Sequence, residues 1–428
     1  MKVLMFGWEF PPHIAGGLGT ACYGMTKGLA HNGVEVLFVM PSASGDEDQS
    51  SVRIINASDV EVYDTCRSVD EFMSKVNFLI VGSNMMPYVD PECFSDLIDK
   101  QEKGENEEFK VSFRQKYKFS GKYGKNLMEE VSRYAVVAAT IARDNQFDVI
   151  HAHDWLTYLA GIAAKRVTGK PLVIHVHATE FDRSGENINT EVFKLEQMGM
   201  QEADKVITVS NLTRNIVINK YGINPDKVIT VHNAVDFSGR SDLSVQRGVK
   251  EKVITFLGRI TFQKGPEYFI EAANKVLKMY PNVRFVMAGS GDLMNRSIRR
   301  VAKLGISDRF HFTGFLRGDD VRRMFLYSDV YVMPSVSEPF GISPLEAMKS
   351  NVPTIISKQS GVAEVLKYAI KMDFWDIDAL ADAMYGLLAY PALSDMAIKS
   401  GLDEVNALKW DNAAAKVKNV YTAAISSK

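Results

Sequence analysis

Two segments in the second half of the chain combine cations, carboxylates and glycine turns. The first reads Gly-Arg-Ile-Thr-Phe-Gln-Lys-Gly and places Arg259 and Lys264 just past an apolar run. The second reads Glu-Pro-Phe-Gly-Ile-Ser-Pro-Leu-Glu and places Glu338 and Glu346 around a glycine turn and a helix start. Arginine, lysine and helix-start amides bind phosphate groups, and carboxylates accept hydrogen bonds from sugar hydroxyls. The pattern therefore indicates an enzyme that uses a sugar nucleotide.

A glycine pair near the N-terminus could bind the anionic end of such a ligand. Gly16 and Gly17 follow the first apolar run and precede a helical pattern at residues 20–30. A dinucleotide-binding fingerprint is excluded because Cys22 stands where its third glycine should be, and no Gly-Lys-Ser or Gly-Lys-Thr follows to make a Walker A loop. A tight strand-to-helix turn without a ligand remains the alternative.

Two histidine pairs occur where strands are expected to end. They are His151 with His153, followed by Asp154, and His175 with His177. Residues two apart on a strand share a face, so a metal site is conceivable. We predict no metal, because the His-x-His-x-Asp pattern of binuclear hydrolases has its acid one position later. The first three histidines are expected in the core, and His177 is expected to face a cleft.

Bulk composition is that of an ordinary globular protein. The chain has 428 residues, 46% hydrophobic and 24% charged, so more than one domain is expected. A formal charge of -2 gives no general attraction to nucleic acid or anionic lipid. Three cysteines without metal spacing indicate reduced thiols, and no apolar run is long enough to cross a bilayer. We expect a cytoplasmic protein with no nucleic-acid partner and no membrane contact.

Short apolar runs alternate with helix-length spacers, which predicts parallel sheets built from βαβ units. The predicted strands are 2–6, 34–40, 52–56, 147–151, 171–177, 205–210 and 227–232 in the first half, and 253–257, 284–288, 310–313, 330–333 and 353–356 in the second. A polar, glycine-bearing stretch places the boundary between two domains at residues 233–250. Residues 84–120 are expected to be an irregular insertion. The last helical pattern is expected to pack back across a cleft. Residues 343–346 also match a capping box with Ser343 at the N-cap.

These features together resemble the retaining GT-B glycosyltransferases of the glycogen and starch synthase branch. The motifs that carry the resemblance are Gly-Gly-Leu-Gly, His-Ala-His-Asp-Trp, His-Ala-Thr-Glu-Phe-Asp-Arg-Ser-Gly, Val-His-Asn-Ala-Val-Asp, Gly-Arg-x4-Lys-Gly and Glu-x7-Glu. The resemblance implies two Rossmann-like α/β domains that face each other across a cleft, with no metal requirement and no cofactor. The implied limits are 1–240 for an acceptor-side domain, 250–405 for a nucleotide-sugar domain, and 406–428 for a helix that returns to the first domain.

Residue roles follow from the resemblance. Arg259 and Lys264 would bind the diphosphate, Glu338 the donor sugar, and His177 the sugar at the reaction centre. The implied donor-binding set also contains Gly16, Gly17, Gly289, Gly291, Phe315, Leu316, Gly341, Ser343, Leu345 and Glu346. Asp154, Asp182 and Arg183 would lie on the acceptor side.

The resemblance implies transfer of glucose from ADP-glucose or UDP-glucose to an α-1,4-glucan. One departure is Ile14, where bacterial glycogen synthases carry a lysine, and it weakens the expectation of ADP-glucose. Transfer to a lipid-linked or cell-surface glycan is an alternative, for which basic residues could form a membrane-binding face: Lys110, Arg114, Lys116, Lys118, Lys122 and Lys125. A third possibility is an inactive GT-B scaffold that binds glycans. The sequence leaves the oligomeric state open.

Overall fold

The computed structural model describes residues 1–13, 16–66, 111–124, 126–236 and 248–427, and it contains two parallel sheets. The first has the order β3-β2-β1-β6-β7-β8-β9 and the second β12-β11-β10-β13-β14-β15. The strands of the first sheet are β1 Lys2–Phe6, β2 Glu35–Met40, β3 Arg53–Asn56, β6 Val149–His153, β7 Leu172–Val176, β8 Lys205–Thr208 and β9 Val228–Thr230. Those of the second are β10 Lys252–Leu257, β11 Val283–Ala288, β12 Phe310–Gly314, β13 Val330–Met333, β14 Thr354–Ser357 and β15 Ile370–Met372.

Helices cover both faces of each sheet, as parallel sheets require. Those of the first half are α1 Gly17–His31, α2 Leu127–Asp144, α3 Trp155–Thr168, α4 Glu180–Ser184, α5 Thr190–Glu202 and α6 Asn211–Asn219. Those of the second half are α7 Pro266–Met279, α8 Met294–Lys303, α9 Asp319–Tyr327, α10 Ser343–Lys349, α11 Ile377–Ala389, α12 Pro391–Ala407 and α13 Trp410–Ser426.

Strand β1 shows why the sequence folds this way. Its apolar side chains alternate between the two faces of the sheet, since successive strand residues point to opposite sides. Leu4 and Phe6 join one core, Val3 and Met5 join the other, and all four are fully buried. A strand that is apolar on both faces has to be internal, and β1 lies between β2 and β6 in the seven-stranded sheet. The expected doubly wound α/β fold is confirmed.

The C-terminal helix α13 packs on α1 of the first sheet, as expected. Trp410 is 6% exposed and lies against Gly24 and Gly28 of α1. A Cβ atom added to Gly24 would stand 2.2 Å from the indole ring, so close contact requires glycine there. About three turns further along α13, the hydroxyl of Tyr421 hydrogen-bonds with His151 in β6.

The connection between the two sheets includes the residues predicted as the boundary, 233–250. Strand β9 ends at Thr230 and β10 begins at Lys252, while residues 237–247 lie outside the described residues. The numbered domain limits themselves stay predictions. None of the helices in the described part of the chain combines the length and apolar character that a membrane span needs.

Three details of the predicted elements are wrong. Residues 84–120 are not wholly irregular, because strand β5 (Val111–Lys116) pairs antiparallel with the unpredicted strand β4 (Glu61–Cys66). Residues 84–110 of that stretch lie outside the described residues. Strand β6 is shifted two residues towards the C-terminus from the predicted 147–151, so both His151 and His153 belong to it. Strand β15 was not predicted.

Candidate functional site

The candidate cations follow β10 at its carboxyl end. Arg259 is exposed, and Lys264 closes a 3-10 turn at Phe262–Lys264. Gly265 then starts α7 with a φ of 66°, and a Cβ atom there would stand 2.2 Å from the carbonyl oxygen of Pro334. Only glycine therefore allows the turn to lie so close to the segment after β13.

Lys264 forms an ion pair with Glu338, which follows β13. The Lys264 Nζ donates to Glu338 Oε2, and their side chains are 19% and 9% exposed. The Glu338 backbone is held on both sides, because its N–H donates to Gln359 O at 2.9 Å and its carbonyl accepts from Gly361 N at 2.9 Å. The structure thus brings this carboxylate and this cation, both predicted for one site, into direct contact.

Glycines bring the loops after β10, β11 and β12 together. Gly289 has a φ of 141°, and a Cβ atom there would stand 1.8 Å from Gly258 O; at Gly291 it would stand 2.3 Å from Ile260 O. The two glycines predicted for the nucleoside pocket are therefore required by backbone-to-backbone packing. Phe315 follows β12 with 47% of its surface exposed, next to a half-buried Leu316.

The predicted capping box at Ser343 is wrong. Helix α10 includes Ser343 and has Ile342 at its N-cap position without a side-chain cap. The Ser343 Oγ instead accepts a hydrogen bond from the Tyr331 hydroxyl at 2.8 Å. The Leu345 N–H donates to Ile342 O at 2.9 Å, so this amide has a partner within the chain. Gly341, just before the helix, has a φ of 100° that favours glycine.

Glu346 lies at the junction of the two sheets. Burial raises the pKa of its carboxyl to about 7, with Arg322 acting in the opposite direction. It lines a cavity of about 30 Å³ together with Ile342, which precedes its own helix, and with residues of α1, of the segment after β9 and of the start of α13: Thr20, Tyr23, Gly24, Ala234, Val235, Asp236 and Trp410. A ligand bound at Glu346 would therefore contact both halves of the molecule.

The start of α1 offers amides without a side-chain cap. Gly16 is extended, with a φ of -175°, and Gly17 begins the helix with open space around both glycines. The N–H of Gly19 is already taken by the carboxylate of Glu9 at 3.0 Å. Glu9 is 6% exposed and follows β1, so the rule that ligand sites lie at strand ends could have identified it.

On the other side of the cleft, His177 follows β7 and is half-buried. Its Nε2 hydrogen-bonds with His153 Nδ1 at 2.9 Å. Burial lowers the pKa of His177 to about 3, so the ring is neutral at neutral pH. His151, His153 and His175 are fully buried, as predicted.

Arg183 is the centre of a buried charge network. Its guanidinium reaches Asp154 Oδ2 at 3.9 Å, Glu180 Oε2 at 3.2 Å, and Glu196. Burial raises the pKa of Glu196 to about 7 in spite of the nearby guanidinium. Asp154 has a φ of 62°, unusual for a residue other than glycine, and its carboxyl pKa is raised by burial. Such backbone strain is common at functional sites.

Asp182 joins the two halves of the molecule. It closes a capping box with Thr179 at the start of α4, and its Oδ1 accepts from Ser337 Oγ at 2.6 Å. Ser337 directly precedes Glu338, so helix α4 touches the loop after β13.

A second contact between the halves is also formed by a carboxylate. Glu364 accepts from the backbone N–H groups of Asn211 at 2.9 Å and Leu212 at 2.8 Å, at the start of α6. The same carboxylate pairs with His232 at 2.7 Å. These long-range partners follow no local pattern, so sequence reasoning missed them.

Comparisons with known proteins agree with this geometry. Residues 2–231 match the family described as starch synthase catalytic domain, and residues 242–403 match glycosyl transferases group 1. An uncharacterized glycosyltransferase of Methanocaldococcus jannaschii is 28% identical over 99% of both chains. A glycogen synthase of Mycobacterium tuberculosis is 24% identical over 99% of this chain and 95% of its own.

Among solved structures, Anabaena HepE in complex with UDP and glucose is 17% identical, covers 99% of this chain and 100% of its own, and has a TM-score of 0.68. This likeness shows the fold. With more than half of its residues matched by one family, the chain belongs to the starch synthase catalytic-domain family and is a glycogen/starch synthase-like GT-B glycosyltransferase.

Proposed function

We propose that the protein is a retaining glucosyltransferase that moves glucose from ADP-glucose or UDP-glucose to an α-1,4-glucan. The observation that carries the proposal is the Lys264–Glu338 pair at the carboxyl ends of β10 and β13, with Asp182 of α4 in contact with Ser337 beside it. The glycogen synthase relative supports the glucan acceptor, and the UDP and glucose bound to HepE support a nucleoside-diphosphate sugar.

The roles of the cations follow from the charge that develops during transfer. Cleavage of the bond between sugar and diphosphate leaves negative charge on the phosphate and oxocarbenium character on the sugar. Arg259 and Lys264 stabilise the departing diphosphate, and fixed charges of this kind are usually the largest contribution to catalysis. When the donor binds, its phosphate competes with Glu338 for the Lys264 ammonium.

The remaining side chains position the sugar and the nucleoside. Glu338 accepts hydrogen bonds from donor-sugar hydroxyls, and Glu346 from the ribose. His177, neutral because of its burial, contacts the sugar as a hydrogen-bonding group. Uncapped amides near Gly17 add to the anion site. The nucleoside pocket is shaped by the loops at Gly289 and Gly291 together with Phe315 and Leu316. The acceptor is bordered by Asp154 and Arg183.

In a single-step transfer, retention means that the acceptor hydroxyl attacks the face that the diphosphate leaves. A donor phosphate oxygen accepts the proton of that hydroxyl as the new glycosidic bond forms and the diphosphate departs. The contact between Asp182 and Ser337 closes the cleft over this reaction and excludes water, which limits hydrolysis of the donor.

The test is release of nucleoside diphosphate from ADP-glucose, UDP-glucose and other sugar nucleotides, with and without glycogen or maltooligosaccharides. Release from a glucose donor that rises with glucan, together with an α-linked product from the α-donor by NMR, would establish the proposal. Release that ignores glucan would refute the acceptor, and a β-linked product would refute retention. If no sugar nucleotide is turned over, the inactive scaffold becomes the better explanation.

A further inference from the structure

Three side chains beside the cleft could act together as metal ligands. The ligand atoms of Cys22, His153 and His177 all lie within 4.8 Å of one another. We propose that they bind one thiophilic divalent cation such as Zn²⁺, and that this ion inhibits the enzyme. The reaction itself is still expected to need no metal.

Three separate elements bring these ligands together. Cys22 lies on α1 and is fully buried, His153 ends β6, and His177 follows β7. Strands β6 and β7 are neighbours, with His153 paired in register with His175. The position of the trio is therefore fixed by the first sheet and the helix that covers it, and not by a mobile loop.

The histidine pair is incompletely satisfied. His153 Nδ1 and His177 Nε2 are 2.9 Å apart and share one proton, while His153 Nε2 is buried without a hydrogen-bond partner among the described residues. An unmatched buried nitrogen is costly, and a cation can use the lone pairs of neutral imidazoles.

The site lies close to negative charge, because the carboxylates of Glu9 and Asp154 both act on Cys22. Negative charge attracts a divalent cation. When the ion binds, it replaces the thiol proton, which is released to the buffer, and a metal–sulfur bond forms without any change of oxidation state.

The neighbouring trio of His151, His153 and His175 is a poorer site. The three rings are stacked, with interplanar angles of 26°, 15° and 30°, so their in-plane lone pairs lie side by side. All three are fully buried, and His151 Nδ1 already has the Tyr421 hydroxyl as its partner. The half-buried His177 gives the Cys22 trio access from the cleft.

The ligand types select the metal. One thiolate and two imidazoles suit Zn²⁺ and other borderline or soft cations, and disfavour Mg²⁺ and Ca²⁺. Tetrahedral Zn²⁺ places such ligands about 3.3–3.6 Å apart, so the atoms need to approach by up to about 1 Å. The fourth position stays open. The inhibition rests on the proposed function, in which His177 contacts the donor sugar. Binding of the metal ion does not depend on that function.

Binding is tested first, without substrate, by titrating the reduced full chain with Co²⁺ and then displacing it with Zn²⁺. One ion per chain with thiolate-to-cobalt absorption is expected. Cys22→Ser should lose the absorption and weaken binding at least ~10-fold, whereas a Cys66→Ser/Cys93→Ser variant, which removes the other two cysteines, should match the wild type. Unchanged binding by Cys22→Ser, or no binding by the wild type, overturns the site.

Thermal melts accompany the titration, and if Cys22→Ser does not fold, His153→Gln replaces it in the cobalt titration and should weaken binding at least ~10-fold. Inhibition is tested second. Zn²⁺ should lower wild-type glycosyl transfer and a chelator should restore it, while Cys22→Ser should keep its turnover and need at least ~10-fold more Zn²⁺. Binding without inhibition keeps the site and refutes its regulatory role. Failure of the glycosyl-transfer assay alone concerns the proposed function, because the cobalt titration uses no substrate.

Discussion

Replacement of Gly24 by alanine should have opposite effects on stability depending on the residue at position 410. In the wild type, the new methyl group would stand 2.2 Å from the Trp410 ring. Overpacking of this kind costs about 1–3 kcal/mol. Alanine in a helix interior gains only about 0.5–1 kcal/mol over glycine. Gly24→Ala should therefore destabilise the wild type.

Trp410→Ala removes the obstructing ring. The side chain is 6% exposed, so its loss should cost about 3–5 kcal/mol. In that background the methyl group of Gly24→Ala enters the vacated space, and the substitution should stabilise the protein. We expect a coupling energy of at least ~1 kcal/mol between the two sites.

The assay is urea unfolding followed by far-UV circular dichroism, with hydrogen exchange of α1 amides to identify the transition of the first sheet. Gly386→Ala in α11 is a matched control, because its Cβ would meet only Leu393 at an ordinary 3.6 Å. That control should be neutral or slightly stabilising in both backgrounds. Additive effects of Gly24→Ala and Trp410→Ala would refute the packing that we describe.

Three further outcomes are expected. Lys264→Ala should lower kcat in the diphosphate-release assay by about 10²–10³. Lys275→Ala, which breaks an exposed ion pair with Asp378, should leave kcat unchanged. Equal losses in the two variants would contradict the role of Lys264. Glu196 has a folded-state pKa of about 7 against its usual 4.5, so the stability that it contributes is present below about pH 4.5 and is lost as pH rises towards 7. Glu196→Gln should remove this pH dependence of the melting temperature between pH 4.5 and 7. An unchanged pH dependence would contradict the burial of a carboxyl that is protonated in the folded state. Glu364→Ala should destabilise α6 by about 0.5–2 kcal/mol, measured as faster hydrogen exchange of the helix amides, while unchanged exchange would show that the contact contributes nothing.

The parts of the fold that could be predicted depend on local pattern. Apolar runs such as those of β1 and β10 indicate buried parallel strands. The carboxyl ends of parallel strands lie on the same edge of a sheet. That edge rule was enough to anticipate that Lys264 and Glu338 meet, although 74 positions separate them. The roles of the predicted site residues stay predictions until donor and acceptor are tested.

What could not be predicted depends on partners that are distant in the chain. Strand β4 is mostly polar, and its partner β5 comes only after residues 67–110, so no local pattern joins the two strands. The capping pattern at Ser343 is locally correct, but the Tyr331 hydroxyl from the adjacent strand takes the serine oxygen and the helix begins one residue earlier. Tertiary contacts override local preference in both cases.

The return of α13 to the first sheet has a consequence for biosynthesis. Helix α13 contributes Trp410, Val417 and Tyr421 to the same core as Val3 and Met5. The ribosome makes β1 first and α13 only after all six strands of the second sheet. At ~5–20 residues per second, the roughly 200 residues between β9 and the end of α13 take about 10–40 s. Throughout that interval the apolar surface that α13 later covers is exposed, and it is a surface that chaperones would bind on the nascent chain.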